Sequence, residues 1–460
     1  MNIKDYNTKD TIAAIATFPE KSALGVIKIS GEKALAVTAR IFAPAKKKNI
    51  KKVPSFTVHY GWIREGKKVL DEVLVTVMRA PASYTRDDVV EISSHGGIIV
   101  LNRIMELLVS LGIRPALPGE FTYRAFVNGR IDLFQAQAVM DIVQAQSDDG
   151  LEVALAQARG EVSLKIKELR ARLKKIFELW EAALQFPDEN LMISPEALKK
   201  EVSGLKPEIR KLVLASEEAD FLRRGLRCVL CGRANSGKST LFNCLLKEER
   251  VIVTRIAGTT RDVIEETIQV NGVPLKIYDT AGILEPGDLI EKKALEKSYQ
   301  KIAEADIILL LLDGSRSLSR DDRFLLEKVK DKNTVIVINK IDLELKLDLD
   351  KLKRYKKPLV KISALKHKRI LFLEKAISRI IYRRGVAKED LLFLSLRQKS
   401  ILQSIQKSID ELENYLEKGY TLDFAVLTLR RMLTDLGRIS GEVSAQEVLE
   451  DIFSDFCIGK

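Results

Sequence analysis

The sequence predicts a multidomain α/β chain in which a small α+β domain is followed by a helical domain with a three-layer α/β unit inserted into it. Three observations predict this. Residues 1–118 alternate strand-like runs with turn signals, residues 119–218 and 385–460 carry helical periodicity, and residues 219–384 alternate strands with helices. In the first segment the extended runs are 11–17, 24–30, 56–63, 69–78 and 89–93, with one clear helix over 99–111. The second segment reads as helices over 133–146, 151–186 and 195–214. Between 222 and 383 the order is strand, helix, strand, hairpin, then three more strands alternating with helices, as in a mostly parallel sheet covered on both faces. The Asn271-Gly272 pair between the extended runs 263–270 and 273–279 is a hairpin signal. Helical segments on both sides of an α/β unit most simply form one helical domain, which gives boundaries of 1–118, 119–218, 219–384 and 385–460.

Composition narrows the function classes. At about 100 to 200 residues per domain, 460 residues make two to four domains, each able to bury its own core. A net charge of +12 with 46% hydrophobic residues describes a folded, basic chain and makes a polyanionic partner plausible. The longest aliphatic run, 307–312, is six residues against the roughly 20 of a bilayer span, so no membrane crossing is expected. Residues 1–17 carry Asp5 and Asp10 and no Arg, unlike a secretory or mitochondrial leader. A cytoplasmic protein is expected, and four Cys without framework spacing suit a reducing compartment. Cys228 and Cys231 lie within one strand and read as core; His59, His95 and His367 are too scattered for a metal site. Lys-rich stretches at 46–52, 165–175 and 346–368 read first as solvated surface and second as RNA contacts.

The chemistry is concentrated in four ordered motifs. The first, GRANSGKS at 232–239, follows the strand 226–231 and opens a helix. Its glycines let backbone amides approach phosphates, Lys238 reaches the β/γ-phosphates and the Ser239 hydroxyl suits Mg²⁺; Asn235, Ser236, Gly237 and Thr240 complete the cradle. Asp279, Thr280, Ala281 and Gly282 form the second motif at a strand end, and Asn339, Lys340 and Asp342 the third, after the strand 334–338. Ser363 and Ala364 form the fourth, after the strand 359–362. A carboxylate at Asp342 can accept from both N1–H and the 2-amino group of guanine, and adenine offers neither, so the ligand is GTP and the inserted unit a Ras-like P-loop GTPase domain. Where many small GTPases place a water-orienting Gln there is Ile283, so hydrolysis must draw on another group, a partner or a cation.

Four features together resemble one family. IAGTTRD at 256–262, the Asp279 motif ending before Ile283, PGEFTYRAFVNGRID at 118–132 and the terminal CIGK at 457–460 are similar to the MnmE (TrmE) family of tRNA-modification GTPases, over essentially the whole chain. The resemblance implies carboxymethylaminomethyl or aminomethyl groups made at C5 of the wobble uridine, U34, of certain tRNAs. It implies a partner, the flavoprotein MnmG with FAD and NADH, in a heterotetramer, and a homodimer formed through the N-terminal domain. It further implies a 5-formyl- or methylene-tetrahydrofolate site, matched here by Glu91 and Lys460, with Lys28 where an Arg is usual and Arg130 where a Lys is usual; charge is kept and geometry is not. For the GTPase domain it implies K⁺ held by Asn235, Thr254, Ile256 and Thr259, and Mg²⁺ held by Ser239 and Thr260. The catalytic set it implies is Glu291, acting through a bridging water, with Arg261 in the switch segment and Cys457 in the tail. The alternative is an Era- or Der-type RNA-binding assembly GTPase, which should carry a second GTPase domain or a KH-type domain. A prenylation box at CIGK is a third reading, poorly matched by Gly459 and Lys460.

Overall fold

A computed structural model describes all residues except 1–5, 19–20, 47, 186–194, 249–264, 271, 280–299, 382–387, 419–421, 442–448, 450–451, 454–455, 457–458 and 460. The chain forms two compact units. One comprises Met1–Met140, Ala158–Ile193 and Tyr420–Lys460, the other Asp141–Gln157 and Ser194–Gly419. No described helix is long and apolar enough to cross a membrane.

The first unit is built on a seven-stranded sheet, with β1 (Ile12–Ile15), β2 (Leu24–Ser30), β3 (Phe42–Pro44), β4 (Thr57–Glu65), β5 (Lys68–Met78), β6 (Val89–His95) and β7 (Arg114–Pro115) in the order β3-β4-β5-β6-β2-β1-β7. Pairing is antiparallel except between β1 and β7. Alternation along the strands sends Ile27, Ile29, Val75, Val77, Val90 and Ile92 to one face, where the helices Ala34–Ile41 and Ile98–Ser110 cover them. The other face carries Ala14, Lys28, Glu91 and Thr76 side by side in register. The helix Ala34–Ile41 is an addition to the single clear helix, 99–111, that the sequence predicts for this segment. It has only two turns and includes β-branched Val37, Thr38 and Ile41; burial of its inner face, rather than propensity, holds it.

Two sequence-derived helices are each two helices in the structure. The run 151–186 divides into Asp148–Ala158 and Glu161–Gln185, because Gly160 takes φ +90° and stops the first. The run 195–214 divides into Pro195–Ser203 and Lys206–Arg224, with Pro207 in the first turn of the second, where its missing N–H costs no helical bond. Hydrophobic periodicity continues through both breaks, which hid them. In the first unit Glu161–Gln185 packs along Leu422–Ser440; in the second Leu396–Glu417, opened by a Ser395/Gln398 capping box, packs on Lys206–Arg224 and Pro195–Ser203.

The second unit holds a six-stranded sheet of β8 (Leu226–Cys231), β9 (Glu265–Val270), β10 (Val273–Asp279), β11 (Ile307–Asp313), β12 (Thr334–Asn339) and β13 (Leu359–Lys361), ordered β13-β12-β11-β8-β10-β9. Only β9 runs antiparallel, joined to β10 by the expected hairpin with Gly272 at φ +81°. Every residue of β11 and β12 is buried, as continuous apolar strands covered on both faces must be. Cys228 and Cys231 belong to separate cores on opposite faces of β8, and burial pushes both thiols up to about 12. Side chains facing opposite ways cannot share a metal ion.

Candidate nucleotide site and tail-docking site

The phosphate loop spans the end of β8 and the helix Lys238–Glu248. Two of its positions admit only glycine. Gly232 has φ +152° and Gly237 φ +98°; a Cβ would stand 2.5 Å from the Leu311 carbonyl oxygen at the first and 2.2 Å from Asn339 Nδ2 at the second. Asn235, exposed at the loop tip, takes φ +63°, a conformation Asn tolerates better than most residues. The buried Lys238 ammonium donates to the carbonyls of Gly232 (3.0 Å) and Arg233 (3.1 Å), so it is held inside the loop it serves. Ser239 and Thr240 lie exposed in the first helical turn, and the buried Ser236 hydroxyl has no partner among the described residues. A ring of backbone around a buried ammonium, with hydroxyls at its mouth, fits a triphosphate and its divalent cation.

The guanine motifs are tied to this loop by side chains. Asn339, buried at the end of β12, donates Nδ2–H to the Ser236 carbonyl (3.0 Å) and accepts the Ala364 N–H on Oδ1 (3.0 Å), joining three of the four motifs. Lys340, at φ +65°, donates to the Asn235 carbonyl (2.8 Å) and to Asp313 Oδ2 (2.7 Å). Burial works against the Asp313 carboxylate, but hydrogen bonds from Lys340 and Ser315 outweigh it and hold its pKa below the usual range. Asp313 was missed in the sequence; the signal available was an acid closing an otherwise apolar strand. The exposed Asp342 accepts the Ser363 hydroxyl (2.5 Å), and that bond with a backbone amide keeps its carboxyl below the usual range. Asp279 closes β10 opposite Leu230 of β8, so the first residue of the second motif sits on the strand beside the one that leads into the loop.

Thr254, Ile256, Thr259, Thr260, Arg261, Thr280, Ala281, Gly282, Ile283 and Glu291 lie outside the described residues, as do Cys457 and Lys460.

A second constellation forms in the other unit. Lys28 Nζ stands 3.9 Å from Glu91 Oε1 across β2 and β6, both side chains about one-third exposed. The Arg130 guanidinium lies over the Tyr84 ring, 4.7 Å from its centroid, and Tyr84 packs with Ala14, the strand neighbour of Lys28. The terminal segment returns here: Gly459, at φ +92°, is so close to β1 that a Cβ would meet Ala16 Cα at 2.9 Å and the Ile15 carbonyl oxygen at 3.1 Å. Phe453 and Phe456 anchor it against Tyr6, Tyr123 and Phe126. The PGEF turn is shaped for this contact, since a Cβ on Gly119 would lie 2.9 Å from both the Phe453 carbonyl oxygen and Phe456 Cβ. Beneath it, the fully buried Arg124 donates to Asp10, Glu120 and the Asn7 carbonyl, while Arg114 bridges Asp10 and Glu120. That network was invisible in the sequence, because its members are up to 117 residues apart.

Base choice should rest on Asp342. Asp342→Asn places an N–H donor against the guanine N–H edge, so GTP affinity is expected to fall about tenfold while xanthosine triphosphate gains. An unchanged preference in a nucleotide competition assay counts against the assignment.

Comparison with known proteins gives the same answer twice over. Residues 133–457 match the MnmE helical domain family, and residues 11–130 match the family described as GTP-binding protein TrmE N-terminus. The tRNA modification GTPase MnmE of Clostridioides difficile (strain 630) is 42% identical over 455 residues, covering 98% of this chain and 99% of its own. That of Bacillus subtilis (strain 168) is 40% identical over 458 residues, covering 98% and 100%. Among solved structures, Aquifex aeolicus Era bound to GDP.AlF4- aligns with 40% of this chain and 66% of its own at 28% identity, with a TM-score of 0.29. With three nucleotide motifs joined at one loop and both family domains matched along nearly all its length, this chain belongs to the MnmE family of tRNA modification GTPases.

Proposed function

We propose that this chain is a cytoplasmic, potassium-dependent GTPase that works with the FAD protein MnmG to install carboxymethylaminomethyl or aminomethyl groups at C5 of U34 in certain tRNAs, drawing its carbon from a tetrahydrofolate derivative. The observation that carries the modification half is the return of Gly459 to the end of β1, one strand from the Lys28–Glu91 pair. Cys457 lies two residues before that glycine in sequence and Lys460 one after it, which supports assigning them to the same site as the folate set of Lys28, Glu91 and Arg130. The pterin of a folate presents a 2-amino and ring N–H edge, which a carboxylate at Glu91 accepts; the bound folate would supply the one-carbon unit. The sheet face carrying Glu91 also exposes Val58, Tyr60 and Leu74, a surface suited to a second copy of the chain in a homodimer.

In the GTPase half, Lys238 and the loop amides hold the phosphates and Asp342 the base, while Ser239 and Thr260 would hold Mg²⁺. Asn235, with Thr254, Ile256 and Thr259, would hold K⁺, whose charge beside the phosphates replaces that of an arginine finger. Glu291 positions the attacking water that Ile283 cannot. Hydrolysis is therefore expected to run several-fold faster in K⁺ than in Na⁺, with the difference lost in Asn235→Ala. Glu291→Ala should keep nucleotide binding and lose about tenfold in kcat. Wild-type kcat for Glu291→Ala in saturating K⁺ would remove that residue from the mechanism. Mass spectrometry of wobble nucleosides from a strain lacking the gene tests the whole reading: U34 that keeps its modified groups overturns it.

A further inference from the structure

The second unit's sheet ends on β13, and between that edge strand and the helix Ile370–Ile381 runs a groove of about 750 Å³. The helix buries Ile370, Leu373, Ala376 and Ile377 against the core. Its i, i+3, i+7 positions Phe372, Lys375 and Arg379 all line the groove, joined by Arg369 at the helix head and Lys361 from the edge strand. Phe372 is 61% exposed, an aromatic ring left in water. From residue 351 to residue 379 the chain has eleven Lys and Arg and a single acid, Glu374, which is buried. A lysine on an edge strand is an ordinary guard against strand addition. That role does not account for two further cations and an exposed ring aligned along the facing helix.

We infer that this groove holds the sugar-phosphate backbone of RNA, with Phe372 as the platform for an unpaired base. Cations in line neutralise successive phosphates, and base–aromatic stacking tolerates any sequence, so the groove supplies affinity rather than sequence choice. The inference deepens the tRNA reading and rests on it. Its test is filter binding of an unmodified tRNA transcript by the full-length chain across a KCl series. Lys375→Glu combined with Arg379→Glu is expected to weaken binding at least tenfold. The slope of log K against log [KCl] should shrink by roughly 1.5, since each lost phosphate contact removes about 0.7 to 0.9. The Gln pair, Lys375→Gln with Arg379→Gln, should show a smaller loss of the same kind, and Phe372→Ala should weaken binding with the slope intact. Basal GTP hydrolysis at wild-type rate certifies that each variant is folded. Unchanged affinity and slope in both paired variants overturn the groove while leaving tRNA modification standing. Loss of binding to anionic vesicles with tRNA binding retained also overturns it, and a wild-type chain that does not bind tRNA overturns both readings.

Discussion

Gly237→Ala is expected to lower GTP affinity by 100-fold or more. The new methyl group would stand 2.2 Å from Asn339 Nδ2, and the backbone there is at φ +98°. A left-handed conformation costs a residue with a Cβ about 1–2 kcal/mol. Moving Asn339 aside then breaks its bonds to the Ser236 carbonyl and the Ala364 N–H, each leaving a buried backbone group unsatisfied at roughly 1–3 kcal/mol. These terms together exceed the ~2.7 kcal/mol that corresponds to a 100-fold drop in the population of the binding-competent loop, and apparent affinity falls by that fraction. Gly66→Ala is the control, because Gly66 also has positive φ (+60°) but nothing stands within 4 Å of its Cβ position. Titration with a fluorescent GTP analogue should find Gly66→Ala near wild type. A near-native Kd for Gly237→Ala would show that the loop and the guanine motifs are not joined through Asn339.

Gly119→Ala is expected to abolish tRNA modification while GTP hydrolysis stays within about twofold of wild type. Its methyl would occupy the place of the Phe453 carbonyl and Phe456 Cβ, again at positive φ (+72°). Undocking the tail removes Phe453 and Phe456 from their aromatic pocket, a loss of the order of a Phe→Ala change in a core, about 3–5 kcal/mol for one ring. The docked fraction should fall by about 100-fold, taking Gly459 away from β1. Wobble-nucleoside mass spectrometry and a GTPase assay on the same variant read the two activities separately. Equal loss of both would mean that the tail holds the whole protein together rather than completing one site.

What the amino-acid sequence determined by itself was everything carried by local pattern. Burial on both faces makes β11 and β12 uninterrupted apolar runs, alternation marks β2 and β6, and Asn271-Gly272 dictates its hairpin. The four nucleotide motifs were legible for the same reason, since each is a short segment with a fixed spacing of residue types. Tertiary structure alone decided the rest. The helix Ala34–Ile41 exists because its inner face is buried, and periodicity running on past Gly160 concealed a break that only a left-handed φ reveals. Asp313 as the partner of Lys340, the Arg114–Glu120–Arg124–Asp10 network and the closeness of Gly459 to β1 join residues from distant parts of the chain. Such pairs have no spacing rule, because their geometry is set by how sheets and helices pack rather than by the 3.6- and 2-residue periods of the elements themselves.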